Sequence, residues 1–296
     1  MNISKLKYNI TAYLLLLVPL ALVLIFNYYP IFNGIVHIFY RWNGNDIEEF
    51  IGFGNIIKLF HDTDLFWSFA VVGIFITANL VKMIPAIVTA VVLYRIVNAK
   101  SQYFYRICFV IPMIIPAVVY ILLWKYFYEP NAGFINSLFR TIGMIGPTET
   151  IQWLTNKWLV IPSLLFYGFP WVGAFGVLIY LAGLQNIGQD VYEAAKIDGA
   201  GPFRIFWNIE LPLIATQIKI NLVLTIIATI RGWESIYLFL GESGGPGGIA
   251  TVPGLFIFRE AFGKGYFGYG CAIGFLIFVI TLFLTWLNNR LVNVDR

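Results

Sequence analysis

Side chains able to do chemistry are scarce in this chain, and three of them sit where charge is costly. Arg231 and Glu234 lie three residues apart inside the apolar stretch from Ile218 to Leu240, and Lys82 interrupts the apolar run from Leu65 to Tyr94. That spacing puts Arg231 and Glu234 on one helical face, where they can pair. Two readings fit the pair: a structural lock between helices, or a polar element of a pathway or gate. Lys82 faces either a bundle interior or a hydrated cavity. The other reactive residue types are poorly placed for catalysis. His37 and His61 are the only histidines, far apart and without Cys or carboxylate neighbours at ligand spacing, which argues against a metal site or a histidine base. Cys108 and Cys271 sit inside apolar stretches and read as small buried hydrophobes.

The elements that must position these residues follow from composition. Of 296 residues, 59% are hydrophobic and 11% charged, with a mean hydropathy of +0.80, whereas a soluble domain carries roughly 25% charge. Such a chain cannot cover itself with a solvated surface, so it belongs in a bilayer, where about 20 apolar residues make a spanning helix. Six stretches qualify, at approximately 12–33, 66–93, 107–127, 159–184, 218–240 and 267–289. They form a single all-α membrane domain over 1–296, without a linker to a second one. The first stretch is read as a retained anchor. Lys5 and Lys7 precede it, but Leu24 to Tyr29 lacks the small residues of a cleavage site. Inner segments hold nine Lys and Arg against six in the outer loops, which places both termini in the cytoplasm. Lys125 and Lys219 lie near span ends and can snorkel to the interface. A net charge of +4 without a basic run argues against nucleic acid.

Residues 190–212 are the exception to the scarcity of charge, and by this topology they face the cytoplasm. Asp190 suits a helix N-cap with Glu193 at the third position, the pattern of a capping box. Asp198-Gly199 supplies the stop, and Pro202 opens a second short helix running to about Glu210 and ending before Pro212. Ala194, Ala195 and Gly199 form a small flat patch. It suits close approach by another backbone, and equally an ordinary amphipathic connection lying at the interface.

This segment resembles a known signature. Glu193-Ala194-Ala195, Asp198-Gly199-Ala200, Ile209 and Leu211-Pro212 are similar to the EAA motif of permease subunits of binding-protein-dependent ABC importers. In place of the second proline that family often has near position 216, this chain has Ala215-Thr216. Phe50-Ile51-Gly52-Phe53-Gly54-Asn55, Ala182-Gly183-Leu184-Gln185, and Gly244-Gly245-Pro246 with Tyr269 to Ala272 resemble elements of the carbohydrate permeases, nearer the MalF-like half than the MalG-like half. The likeness runs from Phe50 to the C-terminus. It implies the type I importer permease fold, six transmembrane helices with a cytoplasmic coupling helix–turn–helix, in a bacterial or archaeal cytoplasmic membrane. It assigns ATPase coupling to Glu193, Ala194, Ala195, Asp198 and Gly199, and implies three kinds of partner: a MalG-like second permease, an ATPase homodimer or heterodimer, and an extracytoplasmic sugar-binding protein.

With a sugar as solute, Lys82, Arg231 and Glu234 become pathway candidates, and Trp233 and Tyr237 could stack on sugar C–H faces. No cofactor is expected on this chain. It has no GxxxxGK[ST] loop, so ATP and Mg belong to the partner ATPase and the chain is a transport subunit, not an enzyme. The glycine-rich Gly241 to Gly248 is expected to be a flexible turn on the outer face. Two rivals remain on residues alone. A secondary transporter or channel should show inverted repeats around midplane ligands, and none is convincing here. An intramembrane enzyme needs a nucleophile with a base, or paired carboxylates, and Glu234 is the one carboxylate at depth.

Overall fold

The computed structural model describes residues 3–291, and these are predominantly helical. Three helices are long and apolar enough to cross a membrane unbroken: Tyr13–His37, Thr63–Tyr94 and Phe267–Leu287. The other apolar stretches are interrupted, which corrects the expectation of continuous spans. The third is two helices, Ala99–Ile114 and Ala117–Phe127, bent by 90° at Ile115-Pro116. Pro112 and Pro116 each remove a backbone donor there. The fourth divides into Val160–Phe166 and Ala174–Gln185. The fifth, Ala215–Arg231, leaves the preceding Pro202–Leu213 at 66° and stops at Gly232, whose ψ of 78° is not helical; a new helix starts at Glu234.

Two helical prolines are accommodated in the same way. A wide turn at Leu24–Tyr28, where Tyr29 N–H donates to Leu24 O, precedes Pro30. Another at Phe206–Glu210, where Leu211 N–H donates to Phe206 O, precedes Pro212. In each the ladder shifts to i→i+5 just before a residue that cannot donate. The second helix of the 190–212 segment thereby runs through Pro212 to Leu213 rather than ending before it.

The chain packs as two compact units. One holds the residues up to Thr63 together with Ile257–Phe278. It contains a small antiparallel pair, Tyr40–Trp42 with Glu48–Phe50, Arg41 facing Glu49, an addition to the all-α expectation. Buried Asn55, the last residue of the Phe50–Asn55 element, donates to Ile38 O at 2.8 Å and Tyr40 O at 2.9 Å. Glu260 is buried and ion-paired with Lys264 and, at 3.7 Å, with Lys58.

The other unit holds Asp64–Phe256 and, of the described residues beyond it, 279–291. Its core sets Met83, Ala86, Ile87, Ala90 and Val91 of the second span with Val177, Tyr180, Leu181 and Leu184 of the fourth and with Ile214. Lipid is as apolar as these side chains, so the helices are held by close contact, which small residues permit. A Cβ on Gly176 would meet Ala86 Cβ at 3.4 Å and Asn221 Nδ2 at 3.2 Å, and one on Gly183 would strike Gln217 at 2.7 Å.

Candidate functional site

The break in the fourth span creates the most distinctive cavity. Between Phe166 and Ala174 the chain unwinds through Gly168, at φ +82°, a cis Phe169-Pro170 bond, and Trp171, at φ +59°. A bulky residue in the left-handed region is an outlier that local sterics disfavour. Unwound backbone at membrane depth exposes peptide groups, and these are tolerated where they line a water-filled space. A cavity of about 550 Å³ lies beside the break, lined by Asn79, Lys82, Tyr120, Tyr167, Trp171, Asn221 and Thr225, with Gly173 to Gly176 on one wall. A second hollow of about 320 Å³ shares Asn79, Lys82, Tyr167 and Thr225 and extends to Thr229, Gly232 and Ser235.

Lys82 is the only ionisable side chain common to both linings apart from Tyr167, and neither lining contains an Asp or Glu. Its ammonium donates to Tyr167 O over a long 3.5 Å and lies 5.7 Å from the Trp171 ring centroid. The amides are fixed by their neighbours: Asn221 Nδ2 donates to Tyr180 Oη at 2.6 Å and Asn79 Nδ2 to Thr229 Oγ1 at 2.8 Å.

Of the five sequence-selected membrane residues, the structure brings Lys82 to these cavities and leaves Arg231, Trp233, Glu234 and Tyr237 outside both linings. The expected Arg231–Glu234 pair is also corrected. Gly232 breaks the helix between them, so they do not share a continuous helical face, and no ion pair joins them among the described residues. Trp233 instead packs over Gly254, where an added Cβ would come within 2.9 Å of its side chain, and its ring meets that of Tyr237 edge-on at 5.9 Å.

The 190–212 segment forms a helix from Gln189 to Ile197 and a second from Pro202. Its start differs from expectation: Gly188 is the N-cap, and Asp190 lies within the first turn without a capping bond. Its end matches. Gly199, at φ +69°, occupies the left-handed position, and Gly199 N–H and Ala200 N–H donate to Lys196 O at 3.1 Å and Ala195 O at 2.9 Å, the paired bonds of a Schellman stop. Glu193, Ala194, Asp198 and Gly199 are exposed, whereas Ala195 is buried beneath them. The two short helices flank a groove of about 490 Å³ lined by Ala194, Ala195, Asp198, Arg204 and Asn208 among others.

Sequence reasoning missed what anchors this segment. Glu210 is fully buried and takes two hydrogen bonds from Arg95, Nη2 to Oε2 at 2.6 Å and Nε to Oε1 at 3.2 Å. Arg95 Nη2 also donates to Pro202 O at 3.0 Å. Arg95 directly follows the helix Thr63–Tyr94, so one guanidinium ties the second span to both ends of the second short helix. The only signal in the sequence was an acid beside an apolar Leu-Pro-Leu run. Tyr120, Tyr167, Trp171 and Asn221 were missed as well, although Gly168-Phe169-Pro170 was a legible breaker.

Against this geometry, comparison with known proteins is decisive. Residues 86–293 match the family model described as binding-protein-dependent transport system inner membrane component. The chain belongs to that family. Among its relatives, the probable ABC transporter permease protein YurN of Bacillus subtilis (strain 168) is 29% identical, over 95% of this chain and 96% of the relative. The trehalose/maltose transport system permease protein MalF of Thermococcus litoralis (strain ATCC 51850 / DSM 5473 / JCM 8560 / NS-C) is 30% identical, over 95% of this chain and 94% of its own. A chain of a bacterial alginate ABC transporter, crystallised in complex with an alginate pentasaccharide-bound periplasmic protein, superposes with a TM-score of 0.81 at 21% identity, covering 97% of this chain and 95% of that one. This binding-protein-dependent inner membrane component is therefore a multi-pass transport subunit with the all-α ABC permease fold. Three unbroken helices and, where each bent pair counts as one span, two more are long and apolar enough to cross a membrane.

Proposed function

We propose that this permease is one half of an ATP-driven importer that carries a sugar or oligosaccharide inward after delivery by an extracytoplasmic binding protein. The observation that carries the reading is the exposed helix–turn–helix with Glu193, Ala194, Asp198 and Gly199 at its tip and the Arg95–Glu210 anchor at its root. A segment presented outward and tied inward suits the transfer of movement from a motor to the spans. In this reading Glu193 makes a charge-assisted contact with a basic group of the ATPase, Ala194 and Gly199 admit its backbone, and Asp198 with buried Ala195 fixes the turn. ATP and Mg are held on the ATPase pair, while this chain supplies positioning and transduction.

A single half encloses no pathway, so a second, MalG-like permease completes it, and both termini face the cytoplasm. The saccharide assignment draws support from the sugar-transport relatives and from the alginate transporter seen with its periplasmic partner. The mechanism is alternating access: the loaded binding protein docks outside, ATPase closure moves the coupling segment, and the two halves rock around the cavity. Copurification tests the reading. A tagged chain is expected to bring down an ATPase and a second permease, and Glu193→Lys to abolish saccharide uptake with the chain still in the membrane. Absence of any ATPase, with uptake intact in Glu193→Lys, would sink the proposal.

A further inference from the structure

We infer that the cavity beside the broken fourth span recognises an anionic group, and hence that the cargo is a saccharide bearing a carboxylate, as in a uronic acid. This rests on the importer reading above and goes beyond it by naming the substrate's charge.

The lining is one-sided. Lys82 brings an ammonium with three donors, and among the described residues its one hydrogen bond is the long contact to Tyr167 O. No carboxylate lies within ion-pair distance of it among the described residues, and none lines either hollow it borders. An unpaired ammonium at membrane depth is costly enough to call for a partner. The indole Nε1 of Trp171, also in the lining, is buried without an acceptor among the described residues. The helix Ala174–Gln185 begins on the same wall, and its N-cap, Gly173, offers no side chain to its first N–H groups. That end of a helix carries partial positive charge. A Cβ at Gly173 would meet nothing within 4 Å, so the space beside the helix start is open.

Three independent donor groups converge on one space without a counter-charge. A neutral sugar would leave the ammonium unpaired, whereas a carboxylate satisfies it with a charge-assisted bond. A half-helix start aimed at a substrate anion is a recurring device where transporter helices are interrupted. Tyr120, Tyr167, Asn221 and Thr225 remain for hydroxyls and ring faces.

The test uses the assembled importer with its binding protein in proteoliposomes. The probes are digalacturonate, dimannuronate and diglucuronate, each paired with its neutral methyl ester. At least one free acid is expected to enter ten-fold or more faster than its ester. Lys82→Met is expected to lower that acid's entry at least ten-fold and to collapse the acid-to-ester ratio, while Lys82→Arg retains the preference. Because the binding protein is the same throughout, any change in the acid-to-ester ratio belongs to the permease. Quantifying assembled complex for each variant separates selectivity from folding. Entry of neutral saccharides alone, or an equal loss of acid and ester in Lys82→Met, would overturn this inference and leave the importer reading standing. If no saccharide of either charge enters in dependence on this chain, the importer reading fails and this inference with it.

Discussion

The Arg95–Glu210 link makes an asymmetric prediction. Glu210 has no solvent exposure, while the Arg95 side chain keeps 35% of its own. Arg95→Met would strand a buried carboxylate, a loss of about 3–5 kcal/mol for a pair broken from one side. Glu210→Gln leaves a guanidinium that still reaches water, still bonds Pro202 O and can donate to the amide oxygen, so it should cost about 1–2 kcal/mol. Joint replacement, Arg95→Met with Glu210→Leu, removes both charges and should recover most of the stability. At about 2–4 °C per kcal/mol, Arg95→Met should lower the melting temperature by roughly 10 °C and Glu210→Gln by roughly 4 °C.

Thermal unfolding of the detergent-solubilised importer, followed by size exclusion, reads the order directly. ATP hydrolysed per solute transported, measured on the double variant, then asks whether the link must be charged to transmit movement. If Arg95→Met and Glu210→Gln fall equally, or the double variant is as weak as Arg95→Met, the account of a buried charge held by one partner is wrong.

Three further outcomes follow from local geometry. Asn136 is fully buried, donates to Pro130 O and Ile151 O and accepts from Trp153 Nε1 at 2.9 Å; Asn136→Ala should cost about 2–4 kcal/mol by orphaning these groups and open the segment 129–158 to trypsin, and unchanged cleavage would refute that. The Glu129 carboxylate accepts the N–H groups of Ala132 and Asn131, which hold it below the usual carboxylate range. A lowered folded-state value means its contribution is present above the ordinary value and lost as pH falls through the lowered one. Amide exchange at Ala132, corrected for intrinsic rate, should therefore accelerate in acid in the native chain and be pH-independent in Glu129→Gln. Gly199 has open space around it and φ +69°, so Gly199→Ala should cost about 1 kcal/mol through the backbone alone. Gly199→Asn should recover much of that, as measured by ATPase copurification, and an equal loss in both would point instead to a steric role.

What could be read in advance, and what could not, divides by range. Apolar length reports on the chain locally, and the helices Tyr13–His37, Thr63–Tyr94 and Phe267–Leu287 overlap the first, second and sixth apolar stretches. Gly199 was legible because a left-handed stop has a single strong residue preference. The breaks were half-legible: Pro116, Gly168-Phe169-Pro170 and Gly232 all lie inside stretches that a hydropathy window averages over, and the window conceals them. Reading Arg231 and Glu234 as a pair failed for this reason, since helical spacing means nothing across a residue that is not helical. The loop Gly241 to Gly248 was misjudged in the opposite sense. Its five glycines all adopt positive φ, and the turn is closed by Ala250 N–H to Gly244 O and by Trp67 Nε1 to Ile249 O, both at 3.0 Å. Glycine there supplies geometry rather than slack.

The pairing of Arg95 with Glu210 spans 115 positions, and no local pattern reports it. Burial is nevertheless a usable clue. An acid next to a Leu-Pro-Leu run at a helix end must be solvated or paired, and a fully buried position leaves only pairing. Lys82 obeys the same logic with the opposite result. Its depth was legible from its neighbours in sequence, but the absence of an acid around it among the described residues emerges only when the second, third, fourth and fifth apolar stretches are assembled around one cavity. A charge that finds its partner within the chain stabilises the fold, as Glu210 does. A charge that finds none, in a cavity otherwise furnished with donors, is available to a ligand, and that difference separates the structural acid from the functional base.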